Sequence, residues 1–258
     1  MTRPPAAEMY ELRPYPKIRR GYLDVLDAGR RKRVIHGLVE VDVTRARQLL
    51  SARGELSFTA FVLRAVALSV EEDRLLHAYR RGRQLILFDE VDVNTQIEIP
   101  HGRQSIVGSL VVRAANRKSV EQITAEIRAG QGPEPGPQAR RRYRGTLAFL
   151  SLPRPVRAVA WAAVMRNPHW FKRLGGTVGL SAVGMFGPVG GWGIPLAPPT
   201  LMVTIGGIVT KPRYIGGDLR PREMLDLTIS VDHAVVDGAP AARFARRLAE
   251  RLERADGL

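Results

Sequence analysis

One of the chain's five histidines, His233, lies in the stretch LTISVDHAVVDGAPAARF, residues 227–244, between Asp232 and Asp237 and just ahead of Gly238. An imidazole with carboxylates one and four residues away suits a general base with an orienting partner. It equally suits a packed polar strand end followed by a turn. In LDLTISVDH, Leu225, Leu227, Ile229 and Val231 alternate with Asp226, Thr228, Ser230 and Asp232, so His233 continues the apolar face. A ring at the end of a buried face is desolvated, which favours the neutral imidazole that a base requires. Asp232 faces the other way and is not expected to touch the ring. Asp237 precedes Gly238 and the helix opened by Pro240, and its simplest role is a turn or helix-capping carboxylate. The pattern alone leaves the catalytic and packing readings open.

Composition narrows the chemistry. The chain has no cysteine, which excludes disulfides, thiolate zinc sites and a cysteine nucleophile and leaves the redox compartment undecided. The formal net charge is +15, and only five of the 40 basic residues are lysine. A GC-rich genome would produce this arginine bias; an anionic partner such as a membrane surface or a polyphosphate cofactor would also account for it. No nucleic-acid partner is expected, because no zinc-finger spacing, aromatic RNA-binding motif or helix-turn-helix pattern is present. The N-terminus lacks the apolar core of a secretory signal, and no uncharged apolar run is long enough to span a bilayer. A cytoplasmic protein is the default expectation.

The elements that must position these residues are legible in outline. Residues 1–15 read as an extended arm rich in proline and arginine, and residues 16–258 as a single domain. Val39, Val41 and Val43 alternate with polar residues as in a strand. Ser57 caps a strongly apolar helix containing Phe61, Ala65 and Leu68, and Ser119 with Gln122 forms a capping-box pattern. RQLILFDEVDVNTQIEI and SIVGSLVVRAA read as strands. So do GTVGLSAVGMFG and TLMVTIGGIVT, the last apolar on both faces as in a buried central strand. A closing helix carries Phe244, Leu248 and Leu252 at four-residue spacing. Between them, about residues 133–174, runs an insert broken by Pro153 and Pro155 and flanked by Arg140, Arg141, Arg142, Arg144, Lys172 and Arg173. It reads as helices packed on the core, or as an amphipathic element that contacts a membrane or covers an acyl pocket. Helices and strands mixed without regular βαβ alternation indicate an α+β domain.

SVDHAVVDGAPAARFARRL resembles the His-x-x-x-Asp-Gly signature of the acyltransferase catalytic domain of the 2-oxoacid dehydrogenase complexes, and of chloramphenicol acetyltransferase, which shares its fold. GGTVGLSAVGMFG is similar to the family's glycine-rich segment, and GIPLAPPTLMVTIGGI to its proline-rich approach to a buried strand. The resemblance runs from about Pro16 to Glu253. It implies a two-layer mixed β-sheet with helices, assembled as a homotrimer with active sites between subunits. It further implies His233 as the base that deprotonates the acceptor and Ser181 as the hydroxyl that stabilises the oxyanion. Asp237 would be held by Arg19 or Arg20, with Gly238 supporting the site.

Departures from the family shape the functional expectation. Neither a lipoyl nor a subunit-binding domain is present, so no covalently bound lipoate is expected in this chain. Ala234 follows the histidine where dihydrolipoyl enzymes usually carry arginine. Asn94, Gln96 and Glu98 stand where dehydrogenase members are mostly small and apolar, which implies a more polar acceptor channel. The chain also ends without the apolar tail of cage-forming members, so a free trimer is expected. The leading expectation is therefore a stand-alone acyltransferase that takes coenzyme A thioester as substrate, uses no metal and acylates a small-molecule or lipid acceptor. The alternatives are a dihydrolipoyl acyltransferase core served by separate lipoyl domains, and a non-catalytic trimeric scaffold or membrane-surface protein. Peripheral membrane contact would run through residues 140–172.

Overall fold

The computed structural model describes residues 11–12, 14–16, 18–101, 104–132, 145–183, 190–196 and 198–258. Most of the expected arm at 1–15 falls outside these residues. So do the linker up to residue 144 and the end of the glycine-rich segment after Val183.

The helices are α1 (Ile18–Gly29), α2 (Thr44–Arg53), α3 (Phe58–Glu71), α4 (Val120–Gln131), α5 (145–151), α6 (Arg154–Arg166), α7 (Pro168–Gly175) and α8 (Gly238–Arg254). The strands are β1 (Val34–Asp42), β2 (Tyr79–Arg81), β3 (Gln84–Ile86), β4 (Val93–His101), β5 (Gln104–Val112), β6 (Val178–Ala182), β7 (Leu201–Ile215) and β8 (Asp218–Asp232). Six strands form one sheet in the order β1-β8-β7-β6-β4-β5, and β2 pairs with β3 apart from it. The pairs β4–β6 and β6–β7 are parallel and the rest are antiparallel. The expected mixed sheet with helices is therefore the architecture found.

Period-2 alternation decides what each sheet face packs against. Val93, Val178, Leu180, Leu201, Val203, Leu225, Leu227, Ile229 and Val231 turn to one face and are buried beneath α3 and α8. Ser57 begins α3 by accepting a hydrogen bond from the Ala60 amide, and the Ser119–Gln122 capping box begins α4, both as the sequence predicts. On α8, Phe244, Leu248 and Leu252 are fully buried. Each such side chain contributes about 1.5–3 kcal/mol by leaving water, so α8 is firmly held and the loop that precedes it is anchored at its C-terminal end.

The second face differs from its sequence pattern. Asp226, Thr228, Ser230 and Asp232 do point away from the apolar core, yet all four are buried. A strap over residues 190–199 crosses β7 and β8 and covers them. Gly191 donates its N–H to Asp226 Oδ2 at 2.6 Å and accepts from the Gly207 amide at 3.1 Å, where β7 shifts register between Ile205 and Ile208. Trp192 Nε1 donates to the Val39 carbonyl at 3.3 Å. Over β4 and β5 the same face is open: Gln96, Glu98, Val107 and Ser109 are exposed.

Pro153 and Pro155 mark the expected break, between α5 and α6, and at the same time start the second of these helices. Pro153 stands at the N-cap of α6 with Pro155 in its first turn, and Asn167 caps α7 by accepting from the His169 and Trp170 amides at 3.1 and 3.3 Å. A proline is well placed there because the first-turn N–H has no intrahelical partner. α7 packs Phe171 against Tyr79 and Phe88. α6 is tied to α1 by the buried pair Arg157–Asp24 at 2.8 Å, while Val156 and Val159 on its outer side are exposed. Among the described residues no helix is long and apolar enough to cross a membrane.

Candidate active site

β8 ends at Asp232, one residue before the alternation predicts, and the chain turns back at once. The Asp232 carbonyl accepts from the amides of Val235 (2.9 Å) and Val236 (3.0 Å), and its Oδ1 accepts from the Ala234 amide at 3.2 Å. Its Oδ2 pairs with Lys32 Nζ at 2.8 Å. One buried aspartate thus organises the whole turn that carries His233, a role invisible in the alternation because it is made through backbone amides.

This turn corrects the expected burial of His233. The ring is exposed, with 47% of its side-chain surface accessible, because it has left the buried face. The His233 amide donates to the Arg33 carbonyl at 2.7 Å, which fixes the backbone. Nδ1 lies 3.2 Å from the Val236 carbonyl oxygen. A carbonyl can only accept, so this contact requires the proton on Nδ1 and leaves the Nε2 lone pair free. That is the tautomer a general base needs.

Asp237 occupies the N-cap position of α8, but its side chain makes no capping hydrogen bond. Oδ1 stands 3.6 Å from His233 Nδ1 instead, and the side chain is 85% accessible. The capping role offered by the sequence is therefore not realised. Gly238 opens α8, and a Cβ added there would meet no atom of this chain within 4 Å.

Ser181 lies on β6, paired with Thr204 on β7, which pairs with Thr228 on β8. Its hydroxyl makes no side-chain hydrogen bond among the described residues. On its other side Gln96 of β4 follows one place after the paired residues Thr95 and Leu180, and Gln96 pairs with Ser109 of β5. Ser109, Gln96, Ser181, Thr204 and Thr228 thus form one row across the polar face. The strap covers Thr204 and Thr228, and Ser181 stands where cover ends.

The same register separates Ser181 from His233. Ser181 is level with Thr228, two strands away, and His233 lies five residues beyond Thr228. With about 4.8 Å between strands and 3.3 Å per residue, the two α-carbons are about 19 Å apart. Arg19 and Arg20 are also remote from Asp237. They lie on the exposed first turn of α1, whose Tyr22 hydroxyl donates to the Val107 carbonyl of β5 at 2.7 Å, four strands from β8. Within one chain, His233, Asp237 and Gly238 come together, and Ser181, Arg19 and Arg20 lie apart from them.

Another histidine has a strongly perturbed environment but no access to solvent. His77 is fully buried, with Nδ1 3.1 Å from Thr177 Oγ1 and Nε2 3.1 Å from the Phe88 carbonyl. Burial pushes its pKa down to about 4. It is a satisfied core residue that ties β6 to the segment before β4.

Comparison with known proteins finds similarity over the region holding His233, Asp237 and Ser181. The model for the 2-oxoacid dehydrogenases acyltransferase (catalytic domain) matches residues 167–258. That match covers 92 of the 258 residues, about a third of the chain. The lipoamide acyltransferase component of the branched-chain alpha-keto acid dehydrogenase complex of Bacillus subtilis is 26% identical over 202 residues, 78% of this chain and 40% of its own length. Curated relatives are matched over only 13–42% of their own lengths. Among solved structures, the dihydrolipoamide acetyltransferase of Azotobacter vinelandii superposes with a TM-score of 0.71 at 20% identity, over 98% of this chain and 97% of that one. A chloramphenicol acetyltransferase superposes at 0.50 with 14% identity, over 93% of this chain and 96% of that one. The acyltransferase fold therefore extends over nearly the whole chain, well beyond the segment that the family model matches.

Proposed function

We propose that the protein is an acyltransferase that moves an acyl group from a coenzyme A thioester to a thiol, hydroxyl or amine, at sites completed by a second copy of the chain in a homotrimer. The observation that carries this reading is the state of His233: a solvent-facing imidazole whose Nδ1 is committed to the Val236 carbonyl and whose Nε2 is free. Nε2 takes the proton of the acceptor X–H as X attacks the thioester carbonyl. The carbonyl oxygen becomes an oxyanion that accepts the Ser181 hydroxyl. The C–S bond then breaks, and the coenzyme A thiolate takes the proton back from His233. A hydroxyl aimed at the developing charge is a strong contributor where water is excluded.

Two facts support the assignment of roles. The Azotobacter vinelandii enzyme was studied for the catalytic role of a serine, a histidine and an asparagine, the first two 52 residues apart and the last two four apart. Ser181, His233 and Asp237 repeat both spacings, with an aspartate in the third place. Second, the two separations found within one chain, Ser181 from His233 and Arg19 or Arg20 from Asp237, call for the same remedy. A neighbour that supplies His233 to Ser181 supplies Asp237 with it, since the two are four residues apart. The absence of any in-chain neighbour around a Cβ at Gly238 is consistent with close approach by that second copy or by substrate.

The test is release of coenzyme A from acetyl-CoA in the presence of dihydrolipoamide or other small thiols. Turnover that falls by about 10²–10⁴ in His233→Ala supports the reading, and turnover that survives the substitution rejects it. A second reading, the core of a 2-oxoacid dehydrogenase complex served by separate lipoyl domains, draws on the relatives, which are dihydrolipoyl and lipoamide acyltransferase components. Efficient transfer to dihydrolipoamide relative to other acceptors would favour it over a distinct small-molecule or lipid acceptor.

A further inference from the structure

The open half of the polar sheet face has a chemistry that the acyl-transfer scheme does not use. Asn94, Gln96 and Glu98 lie at alternate positions of β4, so all three share the face that carries Ser181. Gln96 and Glu98 are exposed and Asn94 is half-buried. Across the strand pair, Ser109 donates its hydroxyl to Asn94 Oδ1 at 2.8 Å, which fixes that amide. Gln96 stands level with Ser181, and Glu98 is one side-chain step farther along, about 7 Å from Gln96. In a chain of net charge +15, this places a carboxylate about 8 Å, backbone to backbone, from the residue whose hydroxyl is assigned to the reacting carbonyl.

We infer that the Asn94–Gln96–Glu98 row is the wall against which the acyl acceptor lies, and that it selects an acceptor carrying a hydrogen-bond-donating, positively charged group such as an ammonium. The inference rests on the acyl-transfer reading. One argument places the acceptor on this row. The Gln96 and Glu98 side-chain oxygens accept hydrogen bonds and are not engaged by any described neighbour, so a ligand rich in N–H or O–H donors satisfies them and an apolar or anionic one does not.

The experiment uses acetyl-CoA with three short thiols that differ only in their far group: cysteamine, 2-mercaptoethanol and 3-mercaptopropionate. Coenzyme A release is measured chromatographically on the full chain, and the His233→Ala rate is subtracted. The quantity read is the ratio of kcat/KM for cysteamine to that for 3-mercaptopropionate. Comparing it between wild type and Glu98→Gln cancels the intrinsic reactivity of each thiol. The ratio is expected to fall at least about fivefold in Glu98→Gln, and the wild-type ratio to shrink as salt is raised. A ratio unchanged by Glu98→Gln, in a variant whose Tm matches wild type, overturns the inference and leaves acyl transfer standing. Absence of His233-dependent turnover with every thiol overturns both.

Discussion

Ser181 and His233 are separated by two strands and five residues of register in the same sheet, about 19 Å across β6, β7 and β8. No rotamer of either side chain closes that gap, and the hydrogen-bonded ladders between them are buried. A reaction that uses both groups therefore needs them from different chains. This relationship makes a second chain a requirement of the proposed chemistry.

Mixing inactive chains tests it directly. Ser181→Ala and His233→Ala variants, each deficient alone, are co-expressed and the mixed oligomers purified. With random assembly, half of the His233-intact chains meet a Ser181-intact neighbour, so about a quarter of all sites are whole and activity recovers to about that fraction. Sites contained within one chain would give no recovery. Size-exclusion profiles of both variants should match wild type.

Asp237 offers a second test. Its carboxylate does not cap α8, so removing it should cost little helix stability, unlike a true N-cap at about 0.5–2 kcal/mol. If it orients the imidazole or meets an arginine of the neighbour, Asp237→Ala should lower kcat/KM by at least tenfold with little change in Tm. Asp237→Asn, which introduces the asparagine named for the Azotobacter vinelandii enzyme, should recover most of that loss. A capping residue would show the reverse: a lower Tm and unchanged kinetics.

Much of the fold was readable from the sequence because its signals are local. The Ser57 cap, the Ser119–Gln122 box and the spacing of Phe244, Leu248 and Leu252 each depend on residues within one or two turns. The Gly216–Gly217 turn joining β7 and β8 was equally local, with φ of 61° and 95° as a two-residue hairpin requires, but it was not read. What could not be read depends on distant partners. Buried Asp226, Thr228 and Ser230 look like a solvent face until the strap is placed over them. His233 looks buried until Asp232 gathers three backbone amides and turns the strand away. The strand that carries Ser181 was visible; its distance from His233 follows only from strand order and register.

Acid stability should report the core histidine. His77 is neutral in the folded protein, with its pKa pushed by burial from 6.5 to about 4, while an unfolded chain takes up the proton at the ordinary value. Between these values the unfolded state binds more protons, so stability is full above about pH 6.5 and is lost as pH falls toward 4. The loss attributable to this group is about 3 kcal/mol. Denaturant titrations from pH 7.5 to 4 should show it, and His77→Asn should flatten the dependence in that window while lowering stability at pH 7.5. A decline confined to pH below 4.5, unchanged in the variant, would assign the acid sensitivity to carboxylates instead.

The strap can be tested by two glycines with opposite surroundings. A Cβ at Gly206 would stand 2.2 Å from the Gly191 carbonyl oxygen and 2.7 Å from that of Asp226, both backbone atoms that cannot swing aside. Gly206→Ala must therefore push the strap off β7, at about 1–3 kcal/mol as overpacking commonly costs. Lifting the strap breaks the Gly191 bonds to Asp226 and Gly207 and frees Trp192 from the Val39 carbonyl, so its fluorescence should shift to the red. A Cβ at Gly238 meets nothing in the chain, so Gly238→Ala should leave the Tm unchanged or slightly raised. If Gly238→Ala nevertheless lowers kcat/KM, the methyl group is obstructing something outside the chain, the neighbouring copy or the substrate. Equal effects of the two substitutions on Tm would mean that the strap does not rest on the β7 bulge in solution.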